Sequence, residues 1–204
     1  KNIICSVNIY NDNYKFIFMQ KYYLNNNYFK IEIVFFLFLY TSLIIGFIFG
    51  ENSTGGAIID YTNQKSISQK FASDFIGTIL NYDNFSSRHS PILIIFLSFF
   101  EKINLSDPII RIIHLHICLI LPIIFYKILV LKFGIKYRNY LIVLVGLIFL
   151  SPTFRSLSIW PDSRLLGLII FSISILYYLK FVKHKMFNYV LLNILSCALS
   201  AYFS

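Results

Sequence analysis

The chain has 204 residues, of which 57% are hydrophobic and only 13% charged, with a mean hydropathy of +0.70 and a formal net charge of +9. That is too little polar surface to cover a soluble globule of this size, so composition excludes a soluble domain and predicts a multi-spanning, all-α membrane protein. The basic excess falls between apolar runs, where membrane orientation accounts for it without nucleic acid, and the distant cysteines Cys5, Cys118 and Cys197 suggest neither a disulfide framework nor a metal cluster.

The sequence opens on Lys1 and stops at Ser204 inside an apolar run, so it reads as an N-terminal piece of a longer protein. Residues 1–30 form a basic leader expected in the cytoplasm; Met19 offers an internal start that would leave residues 1–18 untranslated. Ile31 to Gly50 is the first expected span, about twenty residues long and broken only by Glu32. A cleaved signal peptide is the rival reading, against which stand the length of the apolar run and the lack of a small-x-small site at Gly50-Glu51-Asn52.

Residues 51–108 make a long loop that holds six of the nine acids: Glu51, Asp60, Asp74, Asp83, Glu101 and Asp107. Ile67, Phe71, Phe75, Ile76 and Ile79 recur at helical spacing and predict an amphipathic helix over Ser66–Leu80 lying on the membrane surface. Pro91 to Phe100 is apolar all round but too short to span, which predicts a second interfacial helix opened by proline. Ile109 to Leu131 is the second span, kinked at Pro122, and Asn139 to Leu150 the third, ending at Ser151-Pro152. Thr153 to Arg164 follows as a second outer loop. Leu165 to Leu179 is the fourth span and Phe187 to Phe203 begins a fifth. Basic clusters at Lys127–Arg138 and Lys180–Lys185 place those turns in the cytoplasm and the acid-rich loop outside.

Four features could carry chemistry. Asp60 stands close beyond the first span, where a carboxylate can act as general base or bind a divalent metal; a solvated loop acid is the plainer alternative. Arg88-His89-Ser90-Pro91 puts two cations at a helix start, a reasonable phosphate site or an ordinary interfacial anchor. Asp162 opens the fourth span, where an N-cap alone explains it. Arg155, Arg164 and Arg111 lie on the outer side, where the orientation rule disfavours them, so each calls for an anionic partner. His114 and His116 point to different helix faces and do not form a metal pair, and no Gly-rich phosphate loop or serine elbow is present.

The order of these elements resembles the N-terminal part of the GT-C membrane glycosyltransferases, the group containing protein O-mannosyltransferases and the aminoarabinose transferases of lipid A. The resemblance covers roughly residues 31 to 185. It consists of an early loop Asp (Ile59-Asp60-Tyr61), His89-Ser90-Pro91 before a loop helix, Arg111 in the next span, Ser151-Pro152, and Asp162-Ser163-Arg164 opening the fourth span. Ser90 and Tyr61 depart from the family pattern, which has a second Pro and often a second acid at those places. The resemblance implies transfer of a sugar from a polyprenyl-phosphate carrier to a lipid, glycan or protein acceptor at the outer face of a bacterial inner membrane. Asp60 and Asp162 would be the catalytic pair, Asp60 as base or metal ligand. Arg88, His89, Arg155 and Arg164 would stabilise the phosphate; a divalent metal is allowed but not required. Without the remaining spans, residues 1–204 are expected to be inactive alone. A non-catalytic transporter or flippase of lipid-linked glycans, or a structural membrane protein, are the other readings.

Overall fold

The computed structural model describes residues 26–85, 87 and 91–203, with side chains from residue 32 onward. All regular structure among the described residues is helical. In chain order the α-helices are α1 (Asn26–Ile48), α2 (Ala57–Ser73), α3 (Phe75–Leu80), α4 (Pro91–Lys102), α5 (Asp107–Cys118), α6 (Ile120–Phe133), α7 (Arg138–Gly146), α8 (Pro152–Ile159), α9 (Ser163–His184) and α10 (Phe187–Ala201), with single 3₁₀ turns at Tyr82–Phe85, Ile135–Tyr137 and Leu147–Leu150.

Among the described residues two helices are long and apolar enough to cross a bilayer: the run Asp107–Phe133, made of α5 and α6, and α9. Pro122 lacks the N–H that would bond the Cys118 carbonyl, and the helical ladder is interrupted at Leu119, as expected of a proline-kinked span. A third candidate is the pair Ile135–Leu150 and Pro152–Ile159, bent by 62° at Ser151. Glu32–Ile48, the part of α1 with described side chains, and α10 are shorter apolar helices, so among the described residues length and hydropathy support two or three of the about five spans expected. The chain divides into two compact units, residues 1–39 and residues 40–204, and the cap, the ion-pair networks and the cavity all belong to the second.

The 51–108 segment differs from the expected surface-lying helix. A helix starts at Ala57, nine residues early, and stops at Ser73 because Asp74 adopts an extended backbone and caps α3 through Gly77 N–H at 2.9 Å. Ile67 and Phe71 are buried against Ile94 of α4 and face protein, not a membrane surface, whereas Phe75, Ile76 and Ile79 are exposed. A second cluster joins Tyr61 of α2, Leu93 and Leu97 of α4 and Ile110 of α5, with Trp160 packed against it. Each such buried side chain contributes about 1.5–3 kcal/mol, which is enough to hold α2 and α4 as one folded cap over the start of α5. α4 begins at Pro91 as expected.

The expected outer loop at Thr153–Arg164 is instead largely helix. Ser151 caps α8 by accepting from Phe154 N–H at 3.4 Å, and Pro152 supplies the first helical position, so the Ser-Pro pair ends one helix and starts the next. Phe154, Ser156, Leu157, Ser158 and Ile159 are all buried. α8 lies against α5, where His114 Nε2 donates to the Leu157 carbonyl at 3.0 Å.

Candidate functional site

Two chain segments come together at the end of the bundle where α5 and α9 begin. One is the start of the cap, residues 51–65; the other is α8 and the turn into α9. Asp162 has extended backbone and caps α9, its Oδ1 accepting from Arg164 N–H at 2.8 Å. Its side chain is 1% exposed, and the Arg164 guanidinium grips it twice more, Nε to Oδ1 at 2.9 Å and Nη2 to Oδ2 at 2.7 Å. A buried carboxylate needs such pairing, because an uncompensated charge there costs several kcal/mol. The same Nη2 reaches Asp60 Oδ2 at 2.8 Å. Asp60 sits in the first turn of α2, where the helix dipole favours a carboxylate, and its side chain stays 35% exposed.

Asp60, Asp162 and Arg164 are therefore one cluster, with the arginine bridging the two acids. The two carboxylates differ in what they can do. Asp162 spends both oxygens on Arg164 and is sealed from solvent, whereas Asp60 is half-open and held by one hydrogen bond, leaving it able to approach a ligand. With one cation between two anions the cluster is net negative. Among the described residues no three His, Cys, Asp or Glu side chains gather as metal ligands.

Arg155 does not join this cluster. Its Nε donates to both Glu51 oxygens at 2.8 and 2.9 Å, its Nη2 pairs with Glu51 Oε2, and Nη1 and Nη2 each donate to Ser42, at Oγ and the carbonyl, at 3.1 Å. Trp160 Nε1 donates to the Glu51 carbonyl at 3.0 Å, and Thr54 N–H to Ser156 Oγ at 3.2 Å. The Arg155 guanidinium, helped by Ser53 Oγ at 2.6 Å, holds the Glu51 carboxyl below the usual glutamate range against the opposing effect of burial. Gly50, at φ +64°, makes the sharp turn out of α1 that presents Glu51 to Arg155.

A third network lies beside these. Tyr61 Oη and Lys65 Nζ both donate to Asp107 Oδ1 at 2.7 Å, and burial together with that carboxylate pushes the Tyr61 phenol above its usual range. Arg111 stacks on Trp160, its guanidinium carbon 3.5 Å from the ring centroid, and donates Nε–H to the Ile159 carbonyl at 3.2 Å. Its buried Nη2 has no hydrogen-bond partner. Arg88 and His89 lie outside the described residues.

The expectation that the outer arginines need anionic partners thus meets protein carboxylates for two of the three, Glu51 for Arg155 and Asp60 with Asp162 for Arg164, whereas Arg111 rests on the Trp160 ring and the Ile159 carbonyl. Sequence reasoning missed Glu51, Tyr61, Lys65 and Asp107 as network members. The only signal was charge balance, since an acid-rich segment and three outer arginines on one face invite pairing. His114 is buried and bonded to Leu157 while His116 is exposed and accepts from Tyr40 Oη at 3.0 Å, so the two histidines are indeed apart.

Below the cluster, an apolar cavity of about 740 Å³ opens between α6, α8 and α9. Leu121, Phe125, Leu157, Leu168 and Phe171 line it, and Arg164 stands on its wall. No family model matches the chain, and neither does any curated protein or solved structure.

Proposed function

We propose that the chain is the N-terminal part of a membrane glycosyltransferase that moves a sugar from a polyprenyl-phosphate donor to an acceptor at the non-cytoplasmic face. In this reading the chain crosses the membrane about five times, with α1 and α10 as further spans and the 51–108 cap outside. The observation that carries the reading is the Asp60–Arg164–Asp162 cluster standing at an apolar cavity. A partly exposed carboxylate held by an arginine that lines a groove able to take a lipid chain supports such a transfer.

The acceptor hydroxyl or amine gives its proton to Asp60 as its heteroatom attacks the anomeric carbon. The bond from that carbon to the phosphate oxygen breaks, the electron pair leaves with the phosphate, and the configuration inverts. Arg164 orients Asp60, and buried Asp162 orients Arg164, so Asp162 is a positioning residue. Arg155 is engaged by Glu51 and Ser42 and builds the site's base; phosphate stabilisation in this reading falls to Arg88 and His89.

The second reading, a transporter or flippase of lipid-linked glycans, is favoured by the 62° break between α7 and α8, because broken helices line substrate paths in transporters. One assay separates the two. Membranes containing the full gene product are given a polyprenyl-phosphate sugar, and transfer and export are measured for the native chain and Asp60→Asn. Loss of transfer in the variant supports the enzyme; unchanged transfer overturns it, and export without transfer by the native chain supports the transporter.

A further inference from the structure

The opposite end of the bundle is strongly basic and is used by none of the networks above. α5 and α9 start side by side, where Arg111 stacks on Trp160, and α6 and α9 share the apolar cavity further along, so both end at the far side. There the chain makes two turns, residues 132–138 and 180–187. They carry Lys132, Lys136 and Arg138 in the first and Lys180, Lys183, His184 and Lys185 in the second, and Asp162 is the sole acid between residues 108 and 204.

Aromatic rings support these lysines. Lys132 lies 5.4 Å from the Phe133 ring centroid, Lys136 5.9 Å from Tyr137, Lys180 5.1 Å from Tyr177 and 5.7 Å from Tyr189, and Lys185 5.6 Å from Phe181. A ring face holds an ammonium group without neutralising it, so the positive charge of both turns is left to act outward. Tyr137, Tyr140 and Tyr178 are about half exposed or more, as suits rings at headgroup depth.

We infer that these two turns bind the anionic headgroups of acidic phospholipids in the adjoining leaflet, with Lys132, Lys136, Lys180 and Lys185 contacting the phosphates. Charge complementarity selects this occupant: a juxtamembrane cluster of four or more lysines gains from each anionic headgroup it meets, and zwitterionic lipids offer no net charge to match. The inference does not depend on the transferase reading, since it concerns the other end of the molecule.

The test uses the chain in mild detergent, offered an equimolar mixture of phosphatidylglycerol and phosphatidylcholine, with bound lipid counted by native mass spectrometry. Phosphatidylglycerol is expected to be retained about tenfold over phosphatidylcholine. The combined Lys132→Gln, Lys136→Gln, Lys180→Gln and Lys185→Gln variant should lose that preference, and Lys→Arg at the same four positions should keep it. Lys65→Gln with Lys70→Gln and Lys102→Gln, in the cap, should leave it intact. Equal retention of the two lipids by the native chain overturns the inference. So does undiminished preference in the four-glutamine variant, an equal loss in the cap variant, or displacement of the lipid by millimolar inorganic phosphate. Should the four-glutamine variant fail to fold by circular dichroism, the native comparison and the arginine variant decide.

Discussion

Arg155, Arg164 and Lys65 at one end of this bundle are partnered differently from the lysines at the other. At the cap end Arg155, Arg164 and Lys65 each meet a carboxylate, from Glu51, Asp60 with Asp162, and Asp107 respectively. At the other end Lys132, Lys136, Lys180 and Lys185 rest on aromatic rings. A carboxylate partner neutralises the cation and fixes two distant segments to each other; an aromatic partner leaves the charge active. The positive end is therefore suited to face outward charge, while the cap end has turned its charge inward to build a geometry.

The contrast can be broken residue by residue. The largest effect is expected from Asp60→Asn in the transfer assay, a fall of about 10²–10⁴-fold if Asp60 is the general base, with the thermal midpoint little changed. Arg155→Ala leaves the mostly buried Glu51 carboxylate without its cation and should cost about 3 kcal/mol, lowering the thermal midpoint in detergent by roughly 6–12 °C; Arg155→Lys should recover only part of that, since it lacks the fork that reaches Glu51 and Ser42 together. Asp162→Ala removes a helix cap and the grip on Arg164, for about 1–2 kcal/mol, and should lower kcat more than it raises KM, as expected of a residue that orients another.

Smaller effects sharpen the comparison. The Glu51 pKa is depressed in the folded chain, so its contribution is present above the ordinary glutamate pKa and is lost as pH falls through the lower folded value. The midpoint of the native chain should therefore decline on acidification through that window, and Glu51→Gln should flatten the decline. Tyr61→Phe removes one hydrogen bond to Asp107 while Lys65 remains, and should cost about 1–2 kcal/mol in the same melting experiment.

Much of the helical framework was legible because its signals are local. The Pro91 start of α4, the Pro122 interruption and the end at Ser151 of the helical run formed by α7 and its following 3₁₀ turn follow from proline's missing N–H and the bias of the residue before it. The start of α2 was hidden by the Asn52-Ser53-Thr54-Gly55-Gly56 run before it, which reads as loop. α8 was hidden by treating Ser151-Pro152 only as a stop, although a Ser before a Pro is also a helix start. For the site, Asp60, Asp162 and Arg164 could be nominated from charge on the side that the sequence leads one to expect outside. Their convergence, and the diversion of Arg155 to Glu51, depend on tertiary packing between α2, α8 and α9 that no local pattern encodes.

The Arg155–Glu51 and Arg164–Asp60 pairs have the same separation, each joining residues 104 positions apart. Nine residues separate the two rungs on both sides of this ladder, so forming the first sets the register of the second. Neither rung can close until the ribosome has passed residue 155. At roughly 5–20 residues per second, Glu51 and Asp60 wait about 5–20 s without their partners. The cap, α2 with α4, can pack by itself in that interval through Tyr61, Leu93, Leu97, Ile67, Phe71 and Ile94. The site would then assemble after the cap, closed by α8 and the first turn of α9 onto a cap already waiting for them.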